Sequence, residues 1–235
     1  MTTGLIHSME TMGLVDGPGI RVVVFMQGCS LRCKYCHNPD TWEYGVGEKV
    51  TPEELVKKIK RYKAYFDTSN GGVTFSGGEP LRQPEFLIEA LKLCKKEGIH
   101  TCIDTAGSGI GMYDEILKYT DLVLFDVKDI TTEGYKNVTL VNIDESLKFI
   151  EAMKRNRTKI WLRHVVVPGL TDGEEHIRRF KEFIKEFNNV EKVELLPYHL
   201  LGVNKYEKLN IKYPLEGVEA MDKELIKKYY DIINE

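Results

Sequence analysis

Three cysteines crowd into one short stretch, Cys29, Cys33 and Cys36, with the spacing Cys-x3-Cys-x2-Cys. Such a loop can wrap three thiolates round one metal centre, but it is one ligand short of closing a four-iron cluster. The shortfall matters, because an iron without a protein thiolate keeps a position for a small molecule, much as a catalytic zinc keeps one and a structural zinc does not. A Cys3His zinc site that draws on His37, or three unligated thiols, are the alternatives. Adjacent Cys36 and His37 are poorly placed to reach one tetrahedral ion together, and no Cys-x2-Cys pair follows downstream. The remaining cysteines, Cys94 on a helical face and Cys102 inside a β-branched run, read as small buried hydrophobes. An odd total so unevenly spaced is not a disulfide framework.

Other polar groups recur at intervals, each set following a run of β-branched and apolar residues. Ser76-Gly77-Gly78-Glu79-Pro80 follows one run and Asp104-Thr105 the next; then come Asp126 and Lys128, Arg163 with His164, and His199. The chain carries no nucleophile elbow and no obvious acid–base dyad.

The elements that must position these groups are strands near Ile20–Gln27, Gly72–Ser76, His100–Asp104, Leu122–Val127, Lys159–Val167 and Lys192–Pro197. Helical periodicity lies between them. Thr51 as N-cap, Pro52 at the first position and Glu54 three residues after the cap start a helix with Leu55, Ile59, Tyr62 and Phe66 on one face. Glu85–Glu97 repeats that logic, with Gly98 as a left-handed stop. Asp144–Arg155, Asp172–Phe187 and Glu219–Ile233 complete the set, with a short helix at Tyr113–Lys118. Strands alternating with helices predict an α/β fold with a parallel sheet. Six units suit a partial (β/α)6 barrel, and an open doubly wound sheet is the competing architecture; both put functional groups at the C-terminal strand ends. No linker interrupts the units, so residues 1–235 read as one domain, with a lead-in at 1–19 and a C-terminal tail and helix at 203–235.

The 235 residues carry 33 Lys+Arg against 36 Asp+Glu, a net charge of −3, which excludes a strongly basic nucleic-acid binder. The longest uninterrupted apolar run, Val22 to Met26, is far too short to span a membrane. The N-terminus lacks the layout of a secretory signal, so the cytoplasm is the expected compartment.

The segment Cys29-Ser-Leu-Arg-Cys33-Lys-Tyr35-Cys36, with an aromatic before its last cysteine, resembles the signature of the radical S-adenosylmethionine superfamily. Within it, Asp16-Gly-Pro-Gly-Ile-Arg21, Cys36-His37-Asn38-Pro39-Asp40-Thr41-Trp42, Gly77-Gly78-Glu79, Asp104-Thr105 and Leu195-Leu196-Pro197-Tyr198-His199 resemble the glycyl-radical-enzyme activases of the pyruvate formate-lyase type. The match runs from about Gly4 to Gly202. No cysteine stands between Asn38 and Leu93, so the cysteine-rich insert of some other activases is missing.

The resemblance implies a partial (β/α)6 barrel and an oxidoreductase of anaerobic metabolism. Cys29, Cys33 and Cys36 would hold a 4Fe-4S cluster that reductively cleaves S-adenosylmethionine. The resulting 5′-deoxyadenosyl radical would take hydrogen from a glycine of a partner enzyme, pyruvate formate-lyase, leaving a glycyl radical. A low-potential donor such as flavodoxin or ferredoxin would feed the cluster, and a monomer is the expected form, with neither nucleic acid nor membrane as partner. By the same resemblance, Gly77, Gly78 and Glu79 receive the methionine amino group, while Tyr35, Cys36 and His37 lie on the adenine side. Asp104 and Asp126 sit by the cofactor and can hold a monovalent cation. Val127 and Lys128 follow on the same segment, and Lys128 and His199 touch the cofactor carboxylate and ribose. Arg163, inside an apolar strand, needs a partner if it points inward, and a bound carboxylate is the expected one. Asp16 is the candidate contact for the glycine-bearing loop. Two departures stand out: Ala106 where a polar residue is frequent, and His164 where a tyrosine often follows the strand arginine.

Overall fold

In the computed structural model, which describes residues 2–235, every expected β-branched run is a strand. In chain order the strands are β1 (Gly4–Gly13), β2 (Arg21–Met26), β3 (Glu48–Val50), β4 (Gly72–Gly77), β5 (His100–Thr105), β6 (Leu122–Asp126), β7 (Lys159–Val166) and β8 (Val190–Pro197). They form one sheet in the order β3-β1-β2-β4-β5-β6-β7-β8, and β2 through β8 run parallel. β1, which pairs antiparallel with β2 and with the edge strand β3, is not expected from the sequence, nor is β3. β1 lies within the predicted lead-in and pairs with β2 as a hairpin. It is mostly exposed and carries no continuous apolar run, whereas β2, β4 and β6 are buried over most of their length, as strands covered on both faces must be.

The helices are α1 (Pro52–Lys60), α2 (Lys63–Ser69), α3 (Pro84–Lys96), α4 (Tyr113–Lys118), α5 (Thr132–Thr139), α6 (Asp144–Asn156), α7 (Glu174–Ile184), α8 (Val203–Lys208) and α9 (Lys223–Asn234). The capping box at Thr51 is complete: Glu54 N–H donates to Thr51 Oγ1 at 3.2 Å and Thr51 N–H to Glu54 Oε2 at 2.9 Å. The face Leu55, Ile59 and Phe66 is buried as expected, but the helix breaks at Arg61–Tyr62 and resumes as α2. α3 ends on Gly98 at φ +68°, where the N–H of Ile99 reaches Cys94 O and that of Gly98 reaches Lys95 O. α5 and α8 are short and have no long apolar face to signal them.

Neighbouring helices pack on one another in sequence, α1 on α3, α3 on α4, α4 on α6, and α7 on α9. They cover one face of the sheet. The other face curls round a cavity that receives Phe25, Ser76, Asp104, Asp126, Arg163 and Glu194 from successive parallel strands. Helices on one side and a cavity on the other describe a partial, unclosed barrel, and the doubly wound alternative is set aside.

Candidate active site

The cavity, about 680 Å³, opens where the parallel strands end. Its first wall is the loop after β2. Buried Cys29, Leu31, Cys33 and Tyr35 alternate there with Ser30, Arg32 and Lys34, which stay partly exposed. The loop is fastened from outside, since the N–H groups of Arg32 and Lys34 donate to Thr139 O and Val138 O at the end of α5. α8 holds its far end: Tyr206 Oη donates to Cys36 O at 2.9 Å and Lys205 Nζ to Asn38 Oδ1 at 2.9 Å.

The second wall is the turn after β4. Gly77 has φ +98°, and a Cβ there would lie 2.5 Å from Met26 N; one on Gly78 would lie 2.4 Å from Gly28 O. Only glycines let this turn lie against the start of the cysteine loop. Glu79 closes the turn. Its buried carboxylate accepts from Thr105 Oγ1 (2.6 Å), Leu81 N (3.1 Å) and Ala106 N (3.1 Å). Those donors use three of about four lone-pair sites, and burial still pushes the carboxyl above its ordinary range.

The floor is ionic. Arg163 Nη1 lies 3.4 Å from Asp104 Oδ1 and its Nε 3.7 Å from Asp126 Oδ1, while Lys128 Nζ lies 2.9 Å from Asp126 Oδ2. Ser76 Oγ donates to Asp104 Oδ2 at 2.8 Å. Burial lifts Asp104 well above the carboxylate range, against the pull of Arg163. For Asp126 burial acts the same way, but Lys128 and Arg163 together outweigh it and hold the carboxyl below that range. Asp104 and Asp126 are thus engaged by cations of the chain itself. Arg163 points inward and is ion-paired with these two aspartates of the chain.

Across the mouth, the rings of His37 and His199 stand 4.2 Å apart, and His37 Nε2 lies 3.1 Å from His199 O. The β1–β2 turn brings Leu14, Val15 and Asp16 to the same cavity. Arg21 and Thr74 pin that turn: Arg21 Nε donates to Thr74 Oγ1, which donates to Asp16 O, both at 2.6 Å.

Of the residues expected to hold the cluster, the cofactor, a cation or the partner loop, all but Val127 line this cavity. Strand alternation turns Val127 into the main core, where it is buried among apolar side chains. His164 faces away too. It packs between His176 and Phe180, with Nδ1 2.7 Å from Val127 O, and burial pushes its imidazole down to about 4. Cys94 and Cys102 are fully buried, as expected of packing residues. Sequence reasoning missed the lower cavity wall, Trp161, Lys192 and Glu194, although a period of two along β7 and β8 marks it. It also missed the grip of α8 on the cysteine loop.

The donor set fits an iron–sulfur cluster with a small polar ligand. All five cysteines are free, and burial pushes the Cys33 thiol up to about 12 and Cys29 and Cys36 upward as well. They are therefore neutral until a cationic centre displaces their protons. Among the described residues no three His, Cys, Asp or Glu side chains converge at the spacing of one metal ion. Tyr35 Oη, Asp126 Oδ1, and Nε and Nη1 of Arg163 are buried at the cavity with no hydrogen-bond partner among the described residues, so its floor keeps polar groups ready for a ligand.

Comparison with known proteins adds independent findings. The family model described as the radical SAM superfamily matches residues 23–181. The chain is 60% identical to the pyruvate formate-lyase-activating enzyme of Clostridium pasteurianum, over 100% of this chain and 99% of that protein. It is 44% identical to the pyruvate formate-lyase 1-activating enzyme of Escherichia coli K12, over 99% and 96%. Among solved structures, a domain of a pyruvate-formate lyase-activating enzyme from Bacteroides vulgatus superposes with TM-score 0.57 at 28% identity, covering 70% of this chain and 93% of that one. Streptococcus suis SuiB bound to S-adenosylmethionine gives TM-score 0.63 at 16% identity, over 88% and 46%.

Proposed function

The chain belongs to the radical S-adenosylmethionine superfamily and, within it, to the pyruvate formate-lyase-activating enzymes, and from that premise we propose how its cavity residues divide the work of activating a glycyl-radical enzyme. A 4Fe-4S cluster with S-adenosylmethionine, when bound, would supply the one-electron reductive chemistry needed to abstract hydrogen from a glycine of the partner enzyme. Cys29, Cys33 and Cys36 hold the cluster, in a loop fastened by α5 and α8.

The chain's own residues bind and orient. The Gly77–Gly78–Glu79 turn takes the methionine ammonium against its backbone and the remaining lone pair of Glu79. Arg163 and Lys128 attract the methionine carboxylate; one such contact at about 4 Å is worth roughly 4 kcal/mol gross at an effective dielectric near 20, before desolvation. Asp104 and Asp126 keep those cations in place and are also the candidate ligands of a monovalent cation. Tyr35, His37 and His199 line the adenosine side. Asp16, with exposed Leu14 and Val15 on the same turn, meets the glycine-bearing loop where the barrel is open. Val127 acts through its backbone, because its N–H and C=O tie the Asp126–Lys128 segment to Arg163 O and His164. The reading extends to pyruvate formate-lyase as the partner, flavodoxin or ferredoxin as the donor, a monomer, and the cytoplasm. Among the described residues no helix is long and apolar enough to cross a membrane.

The observation that carries this reading is the meeting of three free thiols with Glu79, Asp104, Lys128, Arg163 and His199 round one cavity. Its test is anaerobic reconstitution: about four irons per chain, release of 5′-deoxyadenosine on adding reductant and S-adenosylmethionine, and a glycine-centred electron paramagnetic resonance signal on adding pyruvate formate-lyase. Iron uptake without 5′-deoxyadenosine would overturn the assignment. Radical formation only on a different glycyl-radical enzyme would move the partner.

A further inference from the structure

We propose that Ala106 sets the reduction potential of the cluster, holding it low by presenting a donor-free methyl group to the Cys29 and Cys33 side of the cysteine loop. The inference rests on the cluster assignment above and deepens it.

Ala106 is 6% exposed and forms one apolar group with Cys29, Leu31 and Cys33, with Cys36, Trp42 and Val141 packed around them. It also lines the cavity. Nothing polar on this residue is free to turn toward the thiols. Its N–H donates to Glu79 Oε2 at 3.1 Å and its carbonyl accepts from Ser146 Oγ at 2.8 Å. The next donors along the chain are engaged as well. Gly107 N–H donates to Thr105 Oγ1 at 2.8 Å, and Ser108 Oγ donates to Glu145 Oε2 at 2.8 Å. The cations round the loop are engaged too: Arg82 by Ser30, Ser108 and Glu145, Arg32 by the carbonyls of Cys29 and Leu31 at 2.8 Å, and Lys128, which faces Cys33, by Asp126 at 2.9 Å. The donors that do reach sulfur are backbone N–H groups of the loop itself, Asn38 to Cys36 Sγ at 3.4 Å and Leu31 to Cys29, and Ala106 adds none.

Reduction adds one negative charge to a cluster held by three thiolates. Hydrogen-bond donors aimed at the sulfurs stabilise the reduced form, while apolar, water-poor surroundings disfavour it. An apolar group that Ala106 and Leu31 form with Cys29 and Cys33, with the Glu79 carboxylate bonded to the Ala106 N–H, therefore makes the cluster harder to reduce and its electron the stronger reductant. Because Ala106 borders the cavity, a longer side chain at this position has room to reach inward.

The test compares Ala106→Asn with the nearly isosteric Ala106→Leu in the reconstituted full-length chain, by potentiometric titration of the reduced-cluster signal in electron paramagnetic resonance. We expect the Asn variant to shift the midpoint to a more positive value than wild type, and the Leu variant to leave it unchanged or more negative. Equal shifts in both variants, or no shift in an Asn variant with full iron content, would overturn the inference. If the Asn variant loses iron, Ala106→Ser reads the same positive shift at smaller volume, and no shift there also overturns it. A wild-type chain that takes up no iron fails at the cluster assignment itself, and the inference falls with it.

Discussion

Tyr206 donates its phenolic hydrogen to the carbonyl of Cys36 at 2.9 Å, joining a helix near the C-terminus to the last cysteine of the loop. Tyr206 is buried against Trp42 and Tyr213, so water does not easily replace it. Tyr206→Phe keeps the ring and removes the donor. The loss should be about 1–2 kcal/mol, a fall in Tm of roughly 2–8 °C for a chain this size. Calorimetry of the iron-free protein measures it, and slower iron uptake at unchanged final content would show the loop has loosened.

That contact marks where sequence reading stops. The six parallel strands were legible because β2 and β6 are near-continuous apolar runs and the others are rich in β-branched and apolar residues between helical segments, and the cysteine loop because three thiols at short spacing have few other uses. The grip of α8 spans 170 positions, and no local pattern announces a partner that far away. Val127 shows a subtler limit. It stands between two cavity residues in the chain, yet the period of two that carries Asp126 and Lys128 inward must carry Val127 outward. His164 fails to reach the site for the same reason, since Arg163 takes the inward position on β7. β1 was hidden because an exposed hairpin strand needs no hydrophobic face.

The buried pair His164 and His176 predicts an acid limit to stability. His164 Nδ1–H donates to Val127 O, so its Nε2, 3.0 Å from His176 Nε2, is the acceptor and the ring is neutral. Burial lowers it from 6.5 to about 4, so between those values the unfolded chain binds more protons. Stability from this group is therefore complete above about pH 6.5 and is lost as pH falls toward 4, by roughly 3 kcal/mol in all. Asp104, raised by burial, acts in the opposite direction in the acid range. Urea unfolding of wild type and His164→Phe across pH 4–7 isolates the histidine: the variant should be less steep, and equal slopes would refute the assignment.

Glu79 ties the glycine turn to the loop after β5. Glu79→Gln retains one acceptor but places an amide nitrogen against a donor, leaving without an acceptor either the Ala106 N–H or the Leu81 N–H and Thr105 Oγ1 that share the other oxygen. A cost of about 1–3 kcal/mol follows. Hydrogen exchange at the Ala106 amide should accelerate, with the β2 and β6 amides unchanged, and uniform acceleration would instead indicate global destabilisation.

Lys128→Met removes the closest cation from Asp126, with only Arg163 left at 3.7 Å. Stranding a buried carboxylate costs about 3 kcal/mol, and the Asp126 carboxyl should rise into the range where infrared spectroscopy detects its protonated form. Calorimetric titration should also show weaker binding of S-adenosylmethionine to the reconstituted variant. Unchanged affinity would remove Lys128 from the binding set.

Free cysteines occur in two settings in this chain, and one substitution tells them apart. Cys94 is fully buried among apolar side chains and Cys102 is fully buried beside His100, Arg21 and Thr74, while Cys29 and Cys33, each 7% exposed, border the cavity beside Cys36. Replacing any of them by alanine removes one sulfur and leaves a small void, so each apo-protein should lose about 1 kcal/mol. Their iron contents should nevertheless divide sharply. Cys94→Ala and Cys102→Ala should reconstitute to the wild-type level, because their thiols face packed core. Cys33→Ala should fall well below that level and release no 5′-deoxyadenosine, because two thiolates cannot hold a cluster that already lacks a fourth. Comparable stability across the set, measured before iron is added, would assign the loss to ligation rather than to misfolding, and a Cys33→Ala variant that turns over normally would rule out the cysteine loop as the cluster site.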